Sequence, residues 1–141
     1  MNIMSETPHF YDLGMIPVYL SMSADQWEDS SENLENLMAC ETRPHILDDA
    51  MIFRTIKLYT EQKEMAWIPL KQCSLWREQN PTSEQLKDIE KIETFTKGSL
   101  ENIEKILTLA KSFKDHTIER VLAKDDMELG LECIMRLMKN K

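Results

Sequence analysis

Apolar residues recur every three or four positions through the second half of the chain. Leu86, Ile89, Ile92, Leu100, Ile103, Ile106, Leu107, Ala110 and Phe113 stay within about half of a helix circumference. The spacing predicts one long helix over about 83–114. Thr82 and Gln85, three residues apart just ahead of it, match a capping box, in which each side chain satisfies the other's backbone N–H. The stripe weakens at "ETFTKGS" (93–99), so a bend there, or two helices meeting there, is the expected irregularity.

A second periodic stretch follows Pro44, a favoured first-turn residue. Met51, Ile52, Ile56, Leu58, Tyr59, Met65 and Ala66 share one broad face, which also takes in Thr55 and Gln62. Pro69 must kink this helix or begin another, "PLKQCSLWREQ", that packs through Leu70, Cys73, Leu75 and Trp76. "DSSENLENLMAC" (29–40) reads as a short helix, and "TIERVLAK" as another, before a last helix from Asp125. Residues 1–24, broken by Gly14 and Pro17, read as an irregular or extended arm whose aromatics pack on the helical body. The pattern as a whole predicts a single all-α domain over 1–141. It is an irregular bundle of five or six helices around the long central one. Three glycines and five prolines among 141 residues leave few of the turns a strand-rich fold requires.

Charge changes this picture along the chain. Residues 1–50 hold ten acids against Arg43 alone, while 51–141 hold fifteen acids and sixteen bases, which together give the net −8. An acidic chain with no basic stripe is repelled by phosphate backbones, so nucleic acid is not an expected partner. No run of apolar residues is long enough to span a membrane, and no basic n-region precedes an apolar h-region. Cys40, Cys73 and Cys133 are scattered without a CxxC pair, the usage of reduced thiols in a cytoplasmic protein.

Candidate chemistry adds little. Asp125–Asp126 and Asp48–Asp49 both stand at helix starts, where acids complement the helix dipole and Asp125 with Glu128 makes a capping box. Glu61/Glu64, Glu90/Glu93 and Glu101/Glu104 have the spacing of a metal-carboxylate bundle, but no Glu-x-x-His accompanies them. All but Glu93 lie on or beside polar faces among lysines. Cys40, His45 and Asp48/Asp49 lack paired zinc-ligand spacing. Glycine stands only at 14, 98 and 130, so no phosphate-cradling loop can be written. No catalytic residue, metal or cofactor is therefore expected.

Ten methionines direct attention to surfaces instead. The leading expectation is a non-catalytic protein-protein interaction or adaptor module that self-associates as a homodimer or holds a partner protein. Leu131, Met135, Met138 and Trp76 are its candidate surface. The alternative is a small-molecule-binding bundle, or a hydrolase, whose pocket uses Asp48, Thr55, Gln62, Glu93 and Thr96. A further alternative is an acidic decoy that blocks a basic partner through residues 25–49.

Overall fold

The computed structural model describes residues 8–43, 47–114, 117, 122–123, 134–135 and 137–138. Four α-helices account for most of them: α1, Ile16–Met38; α2, Asp49–Met65; α3, Trp67–Arg77; and α4, Ser83–Ser112. Only Ala66 separates α2 from α3, so residues 8–114 form three helical rods, and the two further helices expected over 117–124 and from Asp125 lie largely outside the described residues. All three shorter helices pack on α4.

The first correction concerns the start of the chain. Gly14 and Pro17 do not break a helix; they open one. Asp12 accepts the Gly14 N–H at 3.0 Å to hold a single 3-10 turn, Leu13–Met15, and Pro17 sits in the first turn of α1, where its missing N–H would have no partner. From there α1 runs for 23 residues, so the helix expected over 29–40 is its second half. Residues ahead of it are fixed by α3: Gln72 bonds Tyr11 N at 2.7 Å and Tyr11 O at 3.0 Å. The Trp76 indole donates to the carbonyls of Tyr11 and Asp12, at 3.0 and 2.8 Å.

The break at Ala66 follows from Pro69, whose ring excludes the helical position of the carbonyl four residues earlier, that of Met65. The second helix begins at Asp49 rather than near Pro44. Asp48 is its N-cap and accepts the Met51 N–H at 2.7 Å, while Asp49, in the first turn, accepts the Thr117 hydroxyl at 2.5 Å. Pro44 and His45 lie outside the described residues, as do His116, the Asp125–Asp126 step and Cys133.

The fourth helix starts at the Thr82–Gln85 capping box, after a turn in which Asn80 takes a left-handed φ of 56°, and it ends two residues short of the expected boundary. It runs unbroken through 93–99. Its buried positions Ile89, Ile92, Thr96, Ser99, Ile103, Ile106 and Ala110 alternate by three and four, the spacing of a coiled-coil seam. The side of α1 that faces them repeats the pattern at Ile16, Leu20, Ser23, Trp27, Ser30, Leu34 and Leu37. Small residues at the middle of this seam explain the interruption seen in the sequence. A Cβ on Gly98 would lie 2.9 Å from the Trp27 ring, so glycine is what lets α1 approach there. Asn102 ties the seam by donating to the hydroxyls of Ser30 and Ser31 at 3.1 and 2.9 Å.

Apolar packing lies at both ends of this polar middle. Ile16, Cys73, Trp76, Ile89 and Ile92 form one cluster; Tyr59, Ile103, Ile106 and Leu107 form a second, continued by Leu47, Ile52 and Phe113. Burial pushes the Cys73 thiol up to about 11, which leaves it a neutral core group. No described helix is long and apolar enough to cross a membrane.

Candidate functional site

The broad apolar face of the second helix divides in two. Ile52, Tyr59 and Ala66 are buried, whereas the residues one position earlier, Met51, Leu58 and Met65, are 41%, 48% and 56% exposed. Both triplets recur every seven residues. Tyr59 and Ile52 of the buried one pack on α4; the exposed one forms a wall of a groove between the first and second helices. Those two helices run antiparallel, with Tyr19 and Met22 near Met65 and Pro69, and Cys40 near Leu47 and Met51. Each rests on α4, but they do not close on one another.

The groove has two adjoining stretches, of about 740 and 640 Å³, which share Asn33, Leu58 and Tyr59. On the α1 side the lining residues Tyr19, Met22, Gln26, Asp29, Asn33 and Asn36 again alternate by three and four. Met51, Thr55, Leu58, Gln62, Met65 and Pro69 do the same opposite them. The floor comes from α4, as Thr96 in the larger stretch and Ile106 in the smaller. Two side-chain pairs cross between the walls: Gln26 donates to Gln62 at 3.3 Å, and Asn33 donates to the Tyr59 hydroxyl.

The electrostatics are one-sided. The sequence Ile16–Met38 carries Asp25, Glu28, Asp29, Glu32 and Glu35 and no lysine or arginine. Asp25, Asp29 and Glu32 line the larger stretch, and every charged residue described there is an acid. Tyr19 stays a neutral phenol, its titration pushed up by burial and then by Tyr11 and Cys73. Most hydroxyls in the lining are engaged: Ser23 donates to Leu20 O and Ser30 to Trp27 O, both at 3.1 Å. Thr96 differs. It is 3% exposed, and its Oγ1 has no hydrogen-bond partner among the described residues.

The residues singled out from the sequence fare unequally. Gln62 and Thr96 meet in the larger stretch, and Thr55 lies in the smaller one with its hydroxyl turned back to Met51 O at 2.8 Å. Asp48 is outside the groove, occupied as a helix cap. Glu93 is outside it as well, held by Arg77 in a two-point pair with one contact of 2.6 Å. That bonding lowers its titration against the opposing effect of burial. The five residues therefore do not form one pocket.

The expected partner surface is corrected in part. Trp76 is fully buried, because its indole is the donor that fixes the N-terminal segment. Met135 and Met138 are exposed, and Leu131 lies outside the described residues. The α1 wall was missed because Gly14 and Pro17 hid a helix whose heptad spacing continues through both halves. Among the described residues, no group of three or more His, Cys, Asp or Glu is placed to hold a metal ion.

Compared with protein-family models, with curated proteins and with solved structures, the chain matches none.

Proposed function

We propose that this protein is a non-catalytic adaptor whose groove between α1 and α2 receives one amphipathic helix of a partner protein, basic along one flank. The observation that carries the reading is the pairing of two walls. An exposed Met51–Leu58–Met65 stripe at heptad spacing faces a helix that bears acids only.

Helices recognise grooves through apolar anchors three, four and seven residues apart, the spacing already present on both walls. Met51 to Met65 spans about 21 Å at 1.5 Å per residue, room for about four turns of a guest helix. Methionine suits such a wall because its unbranched side chain adapts to a range of partners. The acidic wall favours a basic flank and speeds encounter with it. It also disfavours a second copy of the chain as occupant, since a two-fold dimer through this groove would set the acids of both copies close together. Asp25, Asp29 and Glu32 share this surface with the apolar stripe, so the decoy and adaptor readings overlap there. A small-molecule ligand is the competing reading, supported by a stretch of about 740 Å³. The length and openness of the groove suit a helix better.

Displayed helical peptides about five turns long, randomised at seam and flank positions, test this when sorted against the full chain. Counter-sorting uses Leu58→Glu, a half-exposed position whose change leaves the core intact. Enriched peptides should carry an apolar heptad seam with lysine or arginine beside it. They should lose at least about tenfold in affinity against Leu58→Glu, and more at high salt. Binders indifferent to Leu58→Glu would overturn the proposal, as would a native dimer that Leu58→Glu dissolves in sedimentation.

A further inference from the structure

We infer that the groove has an occupant within its own chain: the C-terminal segment 127–141 docks there as a helix parallel to α2, and a partner helix must displace it. The inference rests on the adaptor reading and adds a regulator to it. Placed at 100° per residue, Met127, Leu131, Ile134, Met135 and Met138 share one face. Glu128, Glu132, Arg136 and Lys139 stand together along one flank of that face. This is the kind of helix the groove suits. Ile134, Met135, Leu137 and Met138 are helical and each more than half exposed. The Met51, Leu58 and Met65 stripe is exposed as well, so each surface offers the apolar cover that the other lacks.

Charge sets the direction. Residues 125–132 hold four acids and no base, whereas 133–141 hold three bases and no acid. The groove carries the inverse order. Arg54 is the one charged residue described in the lining of the smaller stretch, and Asp25, Asp29 and Glu32 are those of the larger. With Met127 beside Met51 and Lys141 beside Met65, opposite charges meet at both ends; the reverse direction brings like charges together at both. Length and tether agree with this direction. As a helix, 127–141 is about 21 Å long, the length of the Met51–Met65 wall. Thr117 is buried with its hydroxyl on Asp49, at the start of α2, which is where a parallel helix must enter. Residues 118–126 span about 30 Å when extended, enough to reach the groove of the same chain. A tether of that kind presents the segment at an effective concentration on the order of millimolar.

The test titrates a fluorescein-labelled peptide of residues 125–141 by anisotropy into the full chain, either native or carrying Met135→Glu with Met138→Glu. Both methionines are exposed, so the double variant spares the core. It should bind the peptide at least about tenfold more tightly than the native chain, whose own segment competes. Adding Leu58→Glu to the double variant should abolish that binding. A peptide carrying Arg136→Glu and Lys139→Glu should bind more weakly and recover in part against Asp29→Lys. A 125–141 peptide that fails to bind the double variant would overturn the inference. So would sorted helical peptides that bind the native chain and the double variant equally; if they still depend on Leu58, the groove stands without its internal occupant. A native dimer that the double variant dissolves in sedimentation would assign the segment to a second copy and overturn docking within one chain. Binding by sorted and C-terminal peptides alike that ignores Leu58→Glu would remove the groove reading and the inference with it.

Discussion

The first helix makes two long seams, and they behave oppositely. Against α4 it closes: Ile16, Ser23 and Ser30 are buried, Trp27 lies on Gly98, and Asn102 stitches the polar middle. Against α2 it stays open, bridged by Gln26–Gln62 and Asn33–Tyr59. Both stripes have heptad spacing. The difference is in side-chain size and polarity rather than in period. A glycine under Trp27, with Ser23 and Ser30 on either side of it along the seam, allows backbones to approach. Gln26, Asp29, Asn33 and Asn36 instead leave the Met and Leu stripe opposite them with little apolar surface to close on. A regular spacing thus specifies which direction a helix face points, and its composition specifies whether anything fills the space.

The largest way to break this comparison is to shorten a side chain on each stripe of the same helix. Ile16→Ala in the closed seam should cost about 2–5 kcal/mol, measured by urea denaturation, since the residue is 1% exposed among Cys73, Trp76, Ile89 and Ile92. A loss below 1 kcal/mol would mean that the seam is not packed as described. Next in size is the pair that fastens α3 to α4 beside the closed seam. Glu93→Gln should lower stability by about 1 kcal/mol at neutral pH. Arg77 holds the Glu93 carboxyl below its ordinary value of 4.5, so the native state gains from this group above pH 4.5 and loses the gain as pH falls through the lowered value. The variant should therefore show a shallower acid limb in a pH series of melts, and an unchanged limb would argue that the pair contributes nothing. The smallest effect belongs to the open seam. Met22→Ala, at a residue 60% exposed, should stay within about 0.5 kcal/mol of the native chain in the same urea titration. A larger loss would show that the groove is part of the core.

Helical class and the placement of the long helix were legible because the stripe from Ile89 to Phe113 is apolar at nearly every turn and its capping box is local chemistry. The start of α1 was not legible, because Gly14 and Pro17 have the same appearance whether they end a helix or begin one. Only the Asp12 cap and the contacts of Tyr11 with α3 decide between them. The groove was half legible: Leu58, Met65 and Gln62 stood on a correctly identified face, but periodicity cannot divide a face into a buried and an exposed stripe one residue apart. Trp76 was misread for a related reason. A tryptophan on a packing face serves core or partner equally well, and its place depends on two backbone carbonyls more than sixty residues away in the chain.

Those two carbonyls give the fold a temporal order. The Trp76 indole and the Gln72 amide are buried polar groups whose partners, at Tyr11 and Asp12, are separated from them by 61 to 65 residues. The α3–α4 hairpin, by contrast, joins through a turn of a few residues and can form early. On a ribosome the N-terminal segment emerges well before the tryptophan that satisfies it, and α1 waits longer still for α4. The segment 11–12 therefore acts less as an arm than as a clasp: it ties the start of α1, and with it one wall of the groove, to α3.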